Sequence, residues 1–438
     1  MKKILLTVIA LMTLFAANAQ NEVKSVPAAT KSLANAKEAV NNPKKNTKAA
    51  TWIKYGQALI DAYNAPAGDL FVGMGDQEMQ LLGFNEKPVS EESVTLEGVP
   101  FTKKVFADKN LYFNANGQVA VIEVTKPIEE NALSMAIEAF SKAYELDNGA
   151  KTVKDLTAAI KTVNEKLNSE ALTRYSLGNI AGASVCFEKA ADALATAPVC
   201  GIDTNAVYNA GLTAFMAGNL DRAKTFFNRS LDNKYYGTDG EVFYKLSEIA
   251  DRQNDTEGCK AILQQGFEMF PQSQSILIGL INYYVKVGQG ADELFSLLDK
   301  AKKNDPKNAS LYYVEGNAHK NLGNIEAASA AYDKCFEIDP TYNWGYIGKG
   351  IMFYEKAIEY QELASKEMDD AKWNELSKKF EETLKGCIEP FEKAYELSSD
   401  PEIKRTVSEY LKNACFRFRT ESDEFQQKYD KYAAAAAE

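Results

Sequence analysis

His319 is the only histidine in the chain, and Cys186, Cys200, Cys259, Cys335, Cys387 and Cys415 are its six thiols. These seven side chains bound the imidazole and thiol chemistry available. One histidine excludes a two-histidine metal site and leaves a single imidazole as general base. His319 stands at an aromatic position of a helical pattern, so it is expected to be buried with its nitrogens hydrogen-bonded. Cys259, Cys335 and Cys387 fall at small positions of a helix face and Cys415 on a C-terminal helix, where a thiol serves as a small apolar residue. Nothing in the surrounding sequence would lower a thiol pKa. There is no phosphate-binding glycine loop, no Gly-x-Ser-x-Gly and no Cys-x-x-Cys, and GNLDRA (218–223) is a turn into a helix. Catalysis, cofactor binding and metal binding are therefore not expected, and a thiol-redox enzyme is the one enzymatic alternative.

The helices that carry these residues recur. Pro271, Pro306 and Pro340 lie 35 and 34 residues apart. Before each comes a large residue followed three positions later by a small one: Leu263/Gly266, Leu298/Ala301 and Tyr332/Cys335. The same pairing appears in Phe140/Ala143, Phe187/Ala190, Phe227/Ser230 and Phe391/Ala394. Another small residue usually precedes the large one by four: Ala136, Ala183, Ala223, Cys259, Ala328 and Cys387. Residues three and four apart share a helix face, so each such helix shows a small–large–small stripe that lets two backbones approach. The helices before them, at 51–63, 206–219, 242–255 and 311–324, carry a small residue at Gly56, Gly211, Ser247 and Gly316 and end in a Gly or Asn turn.

This pattern resembles the tetratricopeptide repeat, a helix–turn–helix of about 34 residues. The resemblance covers most of the chain past its N terminus. It implies a mainly α fold, a right-handed helical solenoid of seven repeats, because one helix pair cannot bury its apolar face alone. A polar capping helix is expected over 402–432, with Ala433–Ala437 as a frayed end.

The N terminus reads as a signal peptide over 1–19. Lys2 and Lys3 precede an apolar run from Ile4 to Phe15, then Ala17-Asn18-Ala19. Cleavage there takes the formal charge from −11 to −13. So acidic a chain argues against nucleic acid and anionic lipid as partners. An exported chain, periplasmic in a two-membrane bacterium, is expected, soluble or peripheral to the outer membrane and with no later segment apolar enough to span a membrane. Export invites disulfides: Cys186 and Cys200, 14 residues apart across a loop, leave a bridge open.

Two repeats are interrupted. Trp52 to Phe140 spans 88 residues where Tyr312 to Tyr332 spans 20. The domain organisation that follows is 20–64, an N-terminal helix and the first helix of the first repeat; 65–127, an inserted α+β module; 128–401, the remaining solenoid; and 402–438, a cap and tail. The module is expected to hold a short helix between the glycines of GMGDQEMQLLG (73–83) and three antiparallel strands, with a hairpin turn at Asn116-Gly117. Gly73, Met74, Leu82, Gly83, Pro88 and LYFNANGQV (111–119) are similar to the small module of envelope lipoproteins related to SmpA/OmlA, shared by β-lactamase inhibitor proteins. That resemblance implies protein binding. The second interruption, at about 356–384, is charged and reads as two longer helices beyond the solenoid.

In tetratricopeptide repeats the first helices line a concave groove. Carried onto this sequence, the resemblance places Tyr208, Phe215, Tyr244, Glu248, Arg252, Asn282, Lys286, Tyr313, Asn317, Lys320, Ile347 and Tyr354 there. Tyr supplies amphipathic contact area, and Asn, Arg and Lys can hold a peptide backbone or carboxylate. Chaperone-binding relatives clamp a C-terminal carboxylate with Lys and Asn, but Ile278 and Trp344 stand where two clamp lysines would be. The expected function is an exported scaffold that binds another protein or peptide of the cell envelope. The alternative is an accessory subunit of an outer-membrane assembly or secretion machine. Interrupted repeats behind a signal sequence look like exported proteins of Bacteroidetes-type bacteria.

Overall fold

A computed structural model describes residues 23–437 apart from 97, 148–150 and 288–290. The signal-like segment 1–19 lies outside the described residues. Two compact units divide the chain, one ending at Tyr235 and the next beginning at Tyr236.

The first unit contains helices α1 (Val26–Asn41) and α2 (Ala49–Asn64), the short α3 (Asp76–Leu81), strands β1 (Ser90–Leu96), β2 (Val99–Val105), β3 (Lys109–Phe113) and β4 (Val119–Val124), and helices α4 (Ala132–Asp147), α5 (Val153–Ser176), α6 (Ile180–Ala195), α7 (Thr204–Met216) and α8 (Leu220–Asp232). The first repeat closes across its insertion, α2 against α4. A Cβ on Gly56 would lie 2.3 Å from the Phe140 ring, and Phe140 is buried. Burying one such side chain contributes about 1.5–3 kcal/mol, and only a residue without a Cβ lets α2 come that close. The pair α7/α8 repeats the device, Gly211 facing Phe227. The turn between them combines Gly218 at φ 78° with Asn219, whose side chain accepts from the Arg222 N–H and caps α8.

Between α2 and α4 the strands form one antiparallel sheet in the order β1-β2-β3-β4. Four strands replace the three expected. VTLEGVPFTKKVF is not one strand but two, folded at Gly98 (φ 81°) so that Leu96 pairs with Val99 and Val94 with Phe101. Met74, Met79, Phe106, Leu111, Phe113 and Val119 form a core of their own under the sheet. Lys109, only 3% exposed, is held by Asp108 at 2.9 Å and Glu86 at 3.1 Å.

The second unit continues with α9 (Glu241–Arg252), α10 (Thr256–Met269), α11 (Gln274–Val287), α12 (Ala291–Asn304), α13 (Ala309–Asn321), α14 (Ile325–Ile338), α15 (Asn343–Lys366), α16 (Asp370–Gly386), α17 (Ile388–Leu397), α18 (Pro401–Phe418) and α19 (Asp423–Ala437). Gly316 of α13 and Gly348 of α15 both face Tyr332 of α14, their Cβ positions 2.6 and 2.7 Å from its ring. Gly350 faces Phe391 in the same way at 2.7 Å. The expected single cap is instead a helix pair. The chain breaks at 419–422, α18 and α19 bury Leu411, Phe418 and Tyr432, and the alanines 433–437 continue α19 rather than fray. The insertion at 356–384 takes the form of a lengthened α15 followed by α16.

Candidate functional site

His319 on α13 stacks on Phe295 of α12, ring centroids 4.4 Å apart at 26°. That contact fixes the imidazole where its buried Nδ1 finds no hydrogen-bond partner among the described residues, which corrects the expectation of a satisfied histidine. All six cysteines are free, so Cys186, buried in α6, is not joined to the exposed Cys200. Burial pushes the thiols of Cys186, Cys259 and Cys415 up to about 11 and those of Cys335 and Cys387 up to about 12. For Cys186 the Glu170 carboxylate adds to the effect of burial. These thiols stay protonated near neutral pH and are poor nucleophiles. Among the described residues no group of three His, Cys, Asp or Glu is placed to hold a metal.

The twelve residues expected to line a groove all lie on first helices of the helix pairs. In the first unit α7 presents Tyr208, half-buried with its ring 5.5 Å from that of Tyr235 and 6.0 Å from that of Phe227, and Phe215, half-buried at the second-last position of the helix. The other ten residues belong to the second unit. On α9, Glu248 accepts from Lys245 at 2.9 Å and lies 3.8 Å from Arg252, while Tyr244 is half-buried. On α11, Asn282 and Lys286 are exposed. On α13, Asn317 accepts the Tyr332 hydroxyl at 2.7 Å and Tyr313 packs edge-on to Tyr342 at 6.0 Å. On α15, Ile347 packs on the C-terminal core and Tyr354 meets Tyr410 edge-on at 5.0 Å. Burial raises the phenol pKa of Tyr244, Tyr313 and Tyr354, so each keeps its hydroxyl proton.

Two carboxylates that sequence reasoning missed tie these helices together. Lys286 reaches Asp251 at 2.5 Å and Lys320 reaches Glu355 at 2.9 Å, both pairs 35 residues apart. The repeat period was the available signal. A lysine on one first helix is offset by one repeat from an acid on the neighbouring first helix. The Lys286–Asp251 pair is exposed on both sides and contributes about 0–1 kcal/mol to stability, so a ligand carboxylate can compete for Lys286.

A cleft of about 310 Å³ lies in the C-terminal part of the second unit, between α15, α16 and α18. Its lining includes Tyr354, a residue expected in the groove, together with Phe380, Leu384, Phe416 and Arg419, which no sequence pattern singled out.

A model of the tetratricopeptide repeat matches residues 309–342, the span of α13, α14 and the turn that follows. A TPR repeat-containing protein of Methanocaldococcus jannaschii is 24% identical over 169 residues, 35% of this chain and 29% of that protein, so the chain spans about three tenths of the length of this curated relative. Among solved structures, YrrB, a TPR protein described as having an unusual peptide-binding site, is 20% identical over 48% of this chain and 96% of its own, with a TM-score of 0.28. A TPR repeats protein from Bacteroides fragilis is 16% identical over 62% of this chain and 98% of its own, with a TM-score of 0.25. Residues 309–342 are thus a tetratricopeptide repeat, and the chain is a mainly α protein of such helix pairs that carries a small antiparallel sheet.

Proposed function

We propose that this chain is an exported, non-catalytic scaffold that binds another protein or peptide of the cell envelope through the exposed parts of its first helices. Tetratricopeptide domains bind proteins or peptides. The observation that carries the reading is the matched repeat itself. On its first helix Tyr313, Asn317 and Lys320 are each half-buried, which leaves part of each side chain open to a partner. The raised thiol pKa values weigh against thiol chemistry. Export to the periplasm rests on the charged start, apolar run and Ala17-Asn18-Ala19 of the sequence. A role as accessory subunit of an outer-membrane assembly or secretion machine is the second reading, favoured by a sheet module with its own core inserted into the first repeat.

Site-specific photocrosslinkers at 313, 317 and 320 in the tagged full chain, made in the cell that exports it, test both parts. The expected result is a periplasmic product beginning at Gln20 with crosslinks concentrated on one envelope protein. A cytoplasmic product retaining Met1 would remove the envelope, and crosslinks no richer than from a control position on α10 would remove the scaffold. Crosslinks from 65–127 to a component of an assembly or secretion machine would favour the second reading.

A further inference from the structure

The cleft between α15, α16 and α18 brings apolar and cationic side chains together. Part of its wall is apolar, Ile358, Phe380 and the buried Leu384, and Gln361 and Asn413 make the rest polar. At its lip Phe416 is 48% exposed, with the Tyr429 ring 5.6 Å away. The Arg419 guanidinium lies 3.5 Å from the centroid of that ring, and its Nη1 donates to the Phe416 carbonyl. Neighbouring Arg417, also in the lining, is neutralised by Glu381. Among the described residues Arg419 forms no ion pair with a carboxylate.

With Nη1 given to the Phe416 carbonyl, the Nε–H and Nη2 donors of Arg419 remain to meet a carboxylate. About 310 Å³ is the lower end of ligand-site volumes and admits one or two side chains rather than a cofactor. In an extended segment, side chains two apart point the same way. One can fill the apolar wall while the other reaches the lip. We propose that this cleft docks a short extended segment of a partner protein, a bulky apolar residue set against Phe380, Leu384 and Phe416, with an acidic residue two positions away on Arg419. This rests on the scaffold reading and adds a contact that shares Tyr354 with the proposed first-helix surface but lies on helices other than the one carrying 313, 317 and 320.

The test is selection of a random 12-residue peptide library, presented without free C termini, on the full chain after removal of its signal-like segment. The expected winners carry Phe, Tyr, Leu or Trp two positions from Asp or Glu. For a labelled winner, Phe416→Ala and Arg419→Gln should each weaken binding about tenfold or more. Phe416 is exposed and Arg419 half-buried, and an unchanged melting temperature checks that the variants fold. Arg419→Glu should turn a repeated selection towards Lys or Arg at the acidic position. No enrichment, winners lacking the pattern, or winners indifferent to all three variants would overturn the docking site. The scaffold reading would survive if the crosslinks from 313, 317 and 320 persist in Arg419→Glu, and it would fall separately if they are absent in the parent protein.

Discussion

The helix pair α13/α14 and the sheet module between α2 and α4 both depend on glycine, for opposite reasons. In the pair, Gly316 has ordinary helical backbone, and a Cβ there would lie 2.6 Å from the Tyr332 ring. In the module, Gly117 meets nothing within 4 Å, but its φ is 72°. The first glycine serves close approach and the second serves backbone conformation. A repeat is therefore specified by what faces what across two helices, whereas the module is specified by how tightly its chain turns.

The largest expected effect lies on the packing side. Tyr332 is fully buried, touches two glycine-bearing helices and donates to Asn317. Tyr332→Ala should cost about 3–5 kcal/mol, read as a shift in the urea midpoint of the helical circular dichroism signal. A cost under about 1 kcal/mol would mean that Tyr332 does not hold the pair together.

Next comes overpacking of the same face. Ala328 is completely buried on α14, and Ala328→Leu should cost about 1–3 kcal/mol. An unchanged melting temperature would refute the repeat register, because an exposed alanine on the same helix would accept leucine without loss.

That register was the most legible property of the sequence. Small–large–small spacing identified Phe140, Tyr332 and Phe391 as the residues that fill inter-helix gaps, and all three are buried. Gly350 facing Phe391 extends the rule to a helix that carries it four residues after Tyr346. The strand count was less legible because Gly98 turns the chain inside a run whose β-branched and aromatic residues read as continuous. The C-terminal helix break was missed for a similar reason: Arg419, Thr420, Glu421 and Ser422 carry neither Gly nor Pro, and only burial of Phe418 and Tyr432 from the two sides reveals the pair. The cleft was illegible because Tyr354, Phe380 and Phe416 come from three helices with no common period and Arg419 from the turn after the last of them.

The glycine contrast itself can be tested with one substitution at two sites. An exposed helical Gly→Ala gains about 1 kcal/mol in propensity. Gly316→Ala should instead destabilise by about 1–2 kcal/mol, because the clash with Tyr332 outweighs that gain. Gly117→Ala should cost about 1–2 kcal/mol through left-handed strain alone. Asparagine separates the causes. It tolerates a left-handed backbone, so Gly117→Asn should recover most of the loss, whereas Gly316→Asn should be worse than Gly316→Ala. Equal behaviour of Asn at the two sites would erase the distinction.

The smallest effect concerns the thiols, which extend the same contrast. Cys335 serves as a small residue on a packed helix face and Cys387 at the junction of α16 and α17, and both are completely buried, whereas Cys200 sits exposed in a loop at φ 48°. A thiol that fills a gap is shielded by the packing it completes, so its reaction must await unfolding. Cys200→Ser removes no packed atom and should change stability by less than about 0.5 kcal/mol. Yet it should abolish nearly all fast modification of the native chain by iodoacetamide at neutral pH, leaving five thiols that react only in denaturant. Fast labelling of Cys335 or Cys387 in the folded chain would break the link between small-residue position and burial on which the repeat assignment stands.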